Sequence, residues 1–221
     1  MDGGFQMADF ISVAVDAMGG DNAPVEIVKG VVDAVHANNH VKVYLTGQEE
    51  LVRRELEKYT YPADRIEVVN ATEVIETAEP PVMAIRRKKD SSIVKGINMV
   101  KSGEGDIFIS AGSTGALLSG GLFILGRIQG IDRPALASVY PIIGGRASLL
   151  VDAGANSECK PNNLLEFGIM GNIYMEKVIG RENPKVGLVN IGSESKKGST
   201  LTKAAYELLE QSDMNFIGNV E

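Results

Sequence analysis

Ser110-Ala111-Gly112-Ser113-Thr114-Gly115-Ala116 follows the apolar run Ile107-Phe108-Ile109 and opens a second apolar run, Leu117 to Leu125. The order predicts a strand, a small-residue turn and a helix. Gly112 and Gly115 let the backbone approach a ligand closely, and Ser113 and Thr114 add hydroxyl donors. The new helix turns its unpaired N–H groups and the positive end of its dipole toward the same spot. Such a turn is suited to an anion, although a tight connection by itself also calls for glycine.

The same alternation runs outward from this stretch in both directions. Phe10 to Val15, Val41 to Thr46, Ile66 to Asn70, Ile107 to Ser110, Pro134 to Tyr140, Ser148 to Asp152 and Val186 to Ile191 read as strands. Val25, Val28, Val32 and Val35 repeat at helical spacing behind Pro24, and Leu51, Leu56 and Tyr59 mark a second helix. Further helices are predicted over Val82 to Lys88, Ser92 to Lys101, Thr114 to Leu125, Asn163 to Val178 and Thr200 to Gln211. Strands alternating with helices predict a three-layer α/β/α, Rossmann-like fold with a mostly parallel sheet. Ala135 to Tyr140 and Ala147 to Val151, joined through Gly144-Gly145, predict a β-hairpin within it. Residues 1–9 have no period and read as a leader, with a single α/β domain over residues 10–221.

Composition narrows the function classes. The chain has 221 residues, of which 44% are hydrophobic, and a mean hydropathy of +0.01, values typical of a globular domain. No apolar run reaches the roughly 18 uncharged residues of a membrane span. One cysteine, Cys159, excludes internal disulfides and thiolate metal clusters and suits a reducing compartment, so a cytoplasmic location is expected. Twenty-two basic against 29 acidic residues give a net charge of −7, and aromatics are 5%, which argues against nucleic acid as a partner.

In parallel sheets ligands gather at the carboxyl ends of strands, so the turns there are compared. Asp16-Ala17-Met18-Gly19-Gly20-Asp21 follows the first strand, Asp152-Ala153-Gly154-Ala155-Asn156 a later one, and Asn190-Ile191-Gly192 through Gly198-Ser199 another. Each mixes glycine, small polar residues and an acid or amide. Taken singly, each is most simply a cap plus a turn, with Asp16 bonding local backbone and Asn156 capping a helix. The segment Gly192 to Thr200 lacks the lysine between glycine and serine that a P-loop needs, and no Gly-x-Gly-x-x-Gly follows the first strand.

Taken in order, Asp16 to Asp21, Ser110 to Ala116, Gly126-Arg127 with Gly130-Ile131-Asp132-Arg133-Pro134-Ala135, Gly154-Ala155-Asn156 with Lys160-Pro161, and Asn190 to Ser199 resemble the phosphate acyltransferases of the PlsX type. The resemblance runs from Ile11 to Glu221. It implies a fold similar to phosphotransacetylases and isocitrate dehydrogenases. The implied activity is synthesis of acyl phosphate from inorganic phosphate and a fatty acyl group on acyl carrier protein, feeding bacterial phospholipid biosynthesis. It also implies a homodimer that needs no cofactor and associates peripherally with the membrane or a membrane acyltransferase. Family members carry asparagine where Ser113 stands, glutamates where Ser193 and Ser195 stand, and asparagine where Ser199 stands. They also continue beyond the position of Glu221, so a missing C-terminal part is expected.

Phosphorolysis of a thioester requires a held dianion, a stabilised oxyanion and an eased thiolate departure, with no protein nucleophile. His36 and His40 lie together, away from every glycine turn, so a serine–histidine–acid triad is not expected, and neither is a metal site. Lys197, in a turn between two glycines and at the family's lysine-glycine position, is the catalytic candidate; Lys196 is its neighbour without that role. Gly112, Ser113, Thr114 and Gly115 are the candidate phosphate cradle, and Asp16, Gly19, Gly20, Asp21, Asn156, Asn190 and Gly192 the candidate substrate-site turns. Arg86-Arg87-Lys88-Lys89 is the candidate patch for docking the acidic carrier protein. Leu117, Leu118, Leu122 and Phe123 are available for an acyl groove, and core packing explains them equally well. The expectation is that Gly19, Gly112, Gly154 and Gly192 converge on one cleft. The competing reading is a non-catalytic anion-binding or scaffold domain.

Overall fold

The computed structural model describes residues 10–221; the leader expected over residues 1–9 lies outside them. Contacts gather the chain into two compact units, one ending at Gly126 and the other spanning Arg127–Glu221.

The first unit contains β1 (Ile11–Asp16), α1 (Val25–Ala37), β2 (Val41–Gly47), α2 (Glu49–Leu56), β3 (Ile66–Asn70), α3 (Pro81–Arg87), α4 (Ser92–Ser102), β4 (Ile107–Ile109) and α5 (Thr114–Gly120). Its sheet is parallel in the order β3-β2-β1-β4, with Asp16 opposite Thr46 and Val15 opposite Ile109. Alternate residues of each strand face opposite sides. Val13, Val15, Val43 and Leu45 bury themselves against Val28, Val32 and Val35 of α1 and Val52 and Leu56 of α2. On the other face α4 crosses β1 and β2, and Ile85, Ile93, Ile97 and Ala116 form a second core beside Phe108. Thr46, buried between these layers, has its one hydroxyl proton shared between the Ser92 carbonyl (3.0 Å) and the Val15 carbonyl (3.2 Å), so the hydroxyl is not left unpaired. The three-layer α/β arrangement expected from the sequence is present. The segment read as one helix from Thr114 to Leu125 is α5 followed by a π-helical turn, Gly121–Leu125.

The second unit contains β5 (Ala137–Ile142), β6 (Arg146–Val151), α6 (Pro161–Lys177), β7 (Lys185–Val189), α7 (Thr200–Glu210) and β8 (Asn215–Val220). β5 and β6 form the expected antiparallel hairpin, closed through Gly144 and Gly145 at φ +89° and +70°, which side chains other than glycine rarely adopt. β7 and β8 pair in parallel across α7, which packs Ala205 and Leu209 inward with Leu188. Among the described residues no helix is long and apolar enough to cross a membrane.

Candidate functional site

In the first unit the chain runs β1, β2, β3 to one side and then returns to place β4 on the other side of β1. The turns leaving β1 and β4 lie at the switch point of this sheet, the place where ligands gather in folds of this kind. Asp16, 1% exposed, is the last residue of β1. Its Oδ1 accepts the Met18 N–H at 3.0 Å and its Oδ2 accepts the Ser110 hydroxyl at 2.7 Å. Ser110 Oγ in turn accepts the Gly112 N–H at 3.1 Å. The two turns are thus stitched together across 94 residues of sequence. A Cβ on Gly19 would lie 2.5 Å from Asp16 Oδ2 and 2.8 Å from the Gly112 nitrogen. One on Gly112 would meet Gly19 Cα at 3.2 Å, and one on Gly115 would meet Pro81 Cγ at 2.7 Å. Gly112 and Gly115 were expected to let the backbone approach a ligand; on the side where a Cβ would stand they admit the neighbouring turn and helix.

The amides of the β4–α5 turn divide accordingly. Gly112 donates to Ser110, Ala116 donates to the Ser113 hydroxyl oxygen at 3.3 Å, and Leu117 to the Ser113 carbonyl at 2.9 Å. Ser113 is therefore the N-cap of α5. The N–H groups of Ser113, Thr114 and Gly115 have no acceptor among the described residues. Thr114 stands exposed, as do Gly20 and Asp21.

Asp152 organises the turn after β6. Its Oδ1 accepts the Leu136 and Ala155 N–H groups (2.8 and 3.1 Å), and its Oδ2 accepts the Asn156 N–H (2.7 Å) and side-chain amide (3.0 Å). Asn156 also donates to the Pro134 carbonyl at 2.9 Å. It was expected to cap a helix; α6 begins five residues later, behind Lys160, and Asn156 instead locks the turn. Burial raises the Asp152 carboxyl, but the Leu136 N–H, the Asn156 side chain and the Asn156 and Ala155 N–H groups prevail and hold it below its ordinary 3.8. A depressed folded-state pKa contributes stability that is present above 3.8 and lost as pH falls through the folded value. Acid unfolding followed by circular dichroism is expected to steepen below pH 3.8. Asp152→Asn is expected to cost about 2 kcal/mol near neutrality and to flatten that acid limb; an unaltered acid limb would contradict the assignment. Beside it, burial pushes the Cys159 thiol above its usual range, with the Asp152 charge adding and Arg133 partly offsetting. That is the setting of a structural thiol, not of a nucleophile.

The loop after β7 carries Lys197. Its N–H donates to the Glu194 carbonyl at 3.0 Å and its carbonyl accepts Asn190 Nδ2 at 3.1 Å. Its stem lies over Gly192, where an added Cβ would sit 3.2 Å from Lys197 Cγ. The ammonium, on a half-exposed side chain, stands 3.9 Å from Glu194 Oε1, too far for a hydrogen bond. Ser199 caps α7, accepting the Thr202 N–H at 3.3 Å.

The basic run Arg86-Arg87-Lys88-Lys89 is divided in its contacts. Lys88 turns inward onto the Val74 carbonyl (2.6 Å) and the Glu79 carboxylate, whereas Arg86, Arg87 and Lys89 are exposed, the Lys89 ammonium also donating to the Ile85 carbonyl at 3.2 Å. Arg86 stacks over Phe123, its guanidinium 5.5 Å from the ring centre, and Phe123 is 51% exposed. Leu117 packs against the Ile85–Ile97 core. Arg127 is engaged by the Asp132 carbonyl and carboxylate (2.6 and 3.2 Å), and Arg133 by the Glu158 carbonyl (3.1 Å). A cavity of about 530 Å³ opens over Arg127–Asp132 and Glu166, and none of the glycine turns singled out as candidate sites lines it. His36 bonds the Thr60 carbonyl at 2.8 Å. Sequence reasoning placed Ser110 in the turn without a role and passed over Asn219. Ser110 could have been found from its place at the strand end opposite Asp16, whereas Asn219 gives no local signal.

The parallel sheet with its switch point and strand-end turns defines an α/β protein of the phosphotransacetylase fold. Structures similar to it include a phosphotransacetylase from Streptococcus pyogenes (TM-score 0.69, 17% identity, covering 96% of this chain and 68% of that one). Another is the EutD phosphotransacetylase from Staphylococcus aureus (TM-score 0.66, 20% identity, with the same coverage). More narrowly, residues 11–221 match the model of the fatty acid synthesis protein family, and the chain belongs to that family. Similar curated relatives are named phosphate acyltransferase. That of Clostridium tetani is 58% identical over 212 residues, or 96% of this chain and 63% of the relative. That of Alkaliphilus oremlandii is 57% identical over 211 residues, or 96% and 62%. The chain thus spans less than two thirds of the length of these relatives.

Proposed function

We propose that this chain transfers a fatty acyl group to inorganic phosphate, taking it from the thioester of acyl carrier protein and yielding acyl phosphate for phospholipid synthesis. A phosphate oxygen attacks the thioester carbonyl carbon, the C–O bond forms, the C–S bond breaks and the carrier's thiolate leaves to take up a proton from water. The observation that carries the reading is the set of three unengaged N–H groups, Ser113, Thr114 and Gly115, at the switch point of a chain in this family. Such a group of amides at a helix start favours an oxyanion. In this reading they hold phosphate, with the Ser113 and Thr114 hydroxyls beside them. Asp16, Gly19, Gly20 and Asp21 shape the adjoining turn, and Asn156, Asn190 and Gly192 shape the turns of the second unit. Lys197 supplies positive charge to the carbonyl oxygen as it becomes an oxyanion. Arg86, Arg87 and Lys89 attract the acidic carrier. The working form in this reading is a cytoplasmic homodimer that associates peripherally with the membrane.

The test is product identity. The chain is incubated with radiolabelled phosphate and a long-chain acyl thioester of acyl carrier protein, and the product is trapped with hydroxylamine. Label in an acyl phosphate that hydroxylamine converts to the hydroxamate supports the reading. Bound phosphate with no product would leave an anion-binding domain in its place.

A further inference from the structure

Asn219 is 6% exposed at the carboxyl end of β8, and both ends of its amide lead to Lys197. Its Nδ2 donates to the Glu194 carbonyl at 2.8 Å, the same carbonyl that accepts the Lys197 N–H at 3.0 Å. Its Oδ1 accepts Asn190 Nδ2 at 3.2 Å, and that nitrogen also donates to the Lys197 carbonyl at 3.1 Å. The Asn190 amide has one orientation available, because its Oδ1 accepts the Ile191 N–H at 2.9 Å. The peptide groups on both sides of Lys197 therefore end on atoms that Asn219 holds. The next residue, Gly198, has φ +94°, and a Cβ there would come within 2.4 Å of Asn190 Oδ1, so the loop is also closed tightly beneath Lys197. Ser193 to Lys197 offers no apolar side chain that could anchor the loop by burial. The strand ends do not depend on this amide: the Asn190 N–H donates to the Val220 carbonyl at 2.9 Å.

We propose that Asn219 is the positioning residue for Lys197, acting through the Glu194 carbonyl and the Asn190 amide so that the loop presents the ammonium in one place. The proposal rests on Lys197 being the catalytic cation. Asn219→Asp keeps size but sets an acceptor against the Glu194 carbonyl, and misplacement of a charge-stabilising group by about 1 Å costs up to about a hundredfold in rate.

The experiment compares wild type, Asn219→Asp, Lys197→Ala and the double variant in the full 221-residue chain. Readouts are hydrogen exchange over residues 191–199 and the kinetics of acyl phosphate formation, with Lys196→Ala as the control. Asn219→Asp is expected to speed exchange in that loop about tenfold and to lower kcat about 30-fold, with KM for the acyl donor within about twofold. In the Lys197→Ala background the same substitution is expected to change kcat by less than about twofold, because its effect runs through the lysine. Loop exchange at the wild-type rate, or a 30-fold loss that persists without Lys197, would overturn the proposal. If Lys197→Ala itself keeps the wild-type rate, the catalytic reading fails, and loop exchange alone then decides whether Asn219 fixes the loop. Should Asn219→Asp not fold, Asn219→Ser removes the same amide bonds and is read identically.

Discussion

Lys197→Ala is expected to lower kcat for acyl phosphate formation by about 10²- to 10³-fold, the effect of removing one preorganised oxyanion donor. In the proposed reaction phosphate dianion is already a competent nucleophile, so the protein's task there is to hold charges in place. Lys197 meets the physical requirements for that role. Its backbone is tied at both peptide groups, while its ammonium is 3.9 Å from Glu194, near enough to be steered and too far to be neutralised by a close pair. The loss is expected in kcat, with KM for phosphate little changed, because the charge Lys197 is proposed to stabilise develops only in the transition state. Lys197→Arg is expected to recover part of the rate, since it restores charge with a different fork geometry. Lys196→Ala is expected to cost little. Equal kcat for wild type and Lys197→Ala would remove the residue from the mechanism.

Gly19→Ala is expected to destabilise the first unit by about 3 kcal/mol, seen as a fall of roughly 10 °C in Tm. The added methyl would sit 2.5 Å from Asp16 Oδ2 and 2.8 Å from the Gly112 nitrogen. Neither can retreat cheaply. Asp16 is buried and bonded to Met18 and Ser110, and the Gly112 nitrogen belongs to the backbone of the turn that opens α5. The β1 and β4 turns would have to part, and the unengaged amides of Ser113 to Gly115 would shift with them. Gly30→Ala, where an added Cβ meets nothing within 4 Å, is the matched control and is expected to raise stability by up to about 1 kcal/mol. A Gly19→Ala protein melting with the wild type would show that the two turns do not pack as described.

Most of the fold is legible in the order of residues, because valine runs at period two and helical valines at period 3.6 leave few alternatives. Ile66 to Asn70 coincides with β3 residue for residue. β8 is not legible: Asn215, Gly218 and Asn219 are poor strand formers, and the segment becomes a strand only because Leu188 and Val189 lie alongside it. The π-helical turn is hidden in the same way, since Gly121 to Leu125 continues an apolar helix pattern until Gly126 N–H bonds the Gly121 carbonyl.

The location of the candidate turns can be read from the sequence, and their internal division of labour cannot. Gly112 looks like a ligand-facing glycine and Gly19 like a turn glycine in a linear reading; that each also makes room for the other is a contact that no local window contains. Asn219 carries no motif at all, and its meaning comes from sitting beside Asn190, 29 residues earlier. Lys88 reads as part of a basic run because the Glu79 carboxylate that claims it belongs to the preceding turn.

The most direct measurement is the rate of thiol release from a long-chain acyl thioester of acyl carrier protein as phosphate concentration is varied, with the 221-residue chain as the only protein added. The rate is expected to rise from background and saturate with phosphate, with one acyl phosphate formed per thiol released. Thiol release that is absent, or that proceeds at the same rate without phosphate, would contradict the proposed reaction.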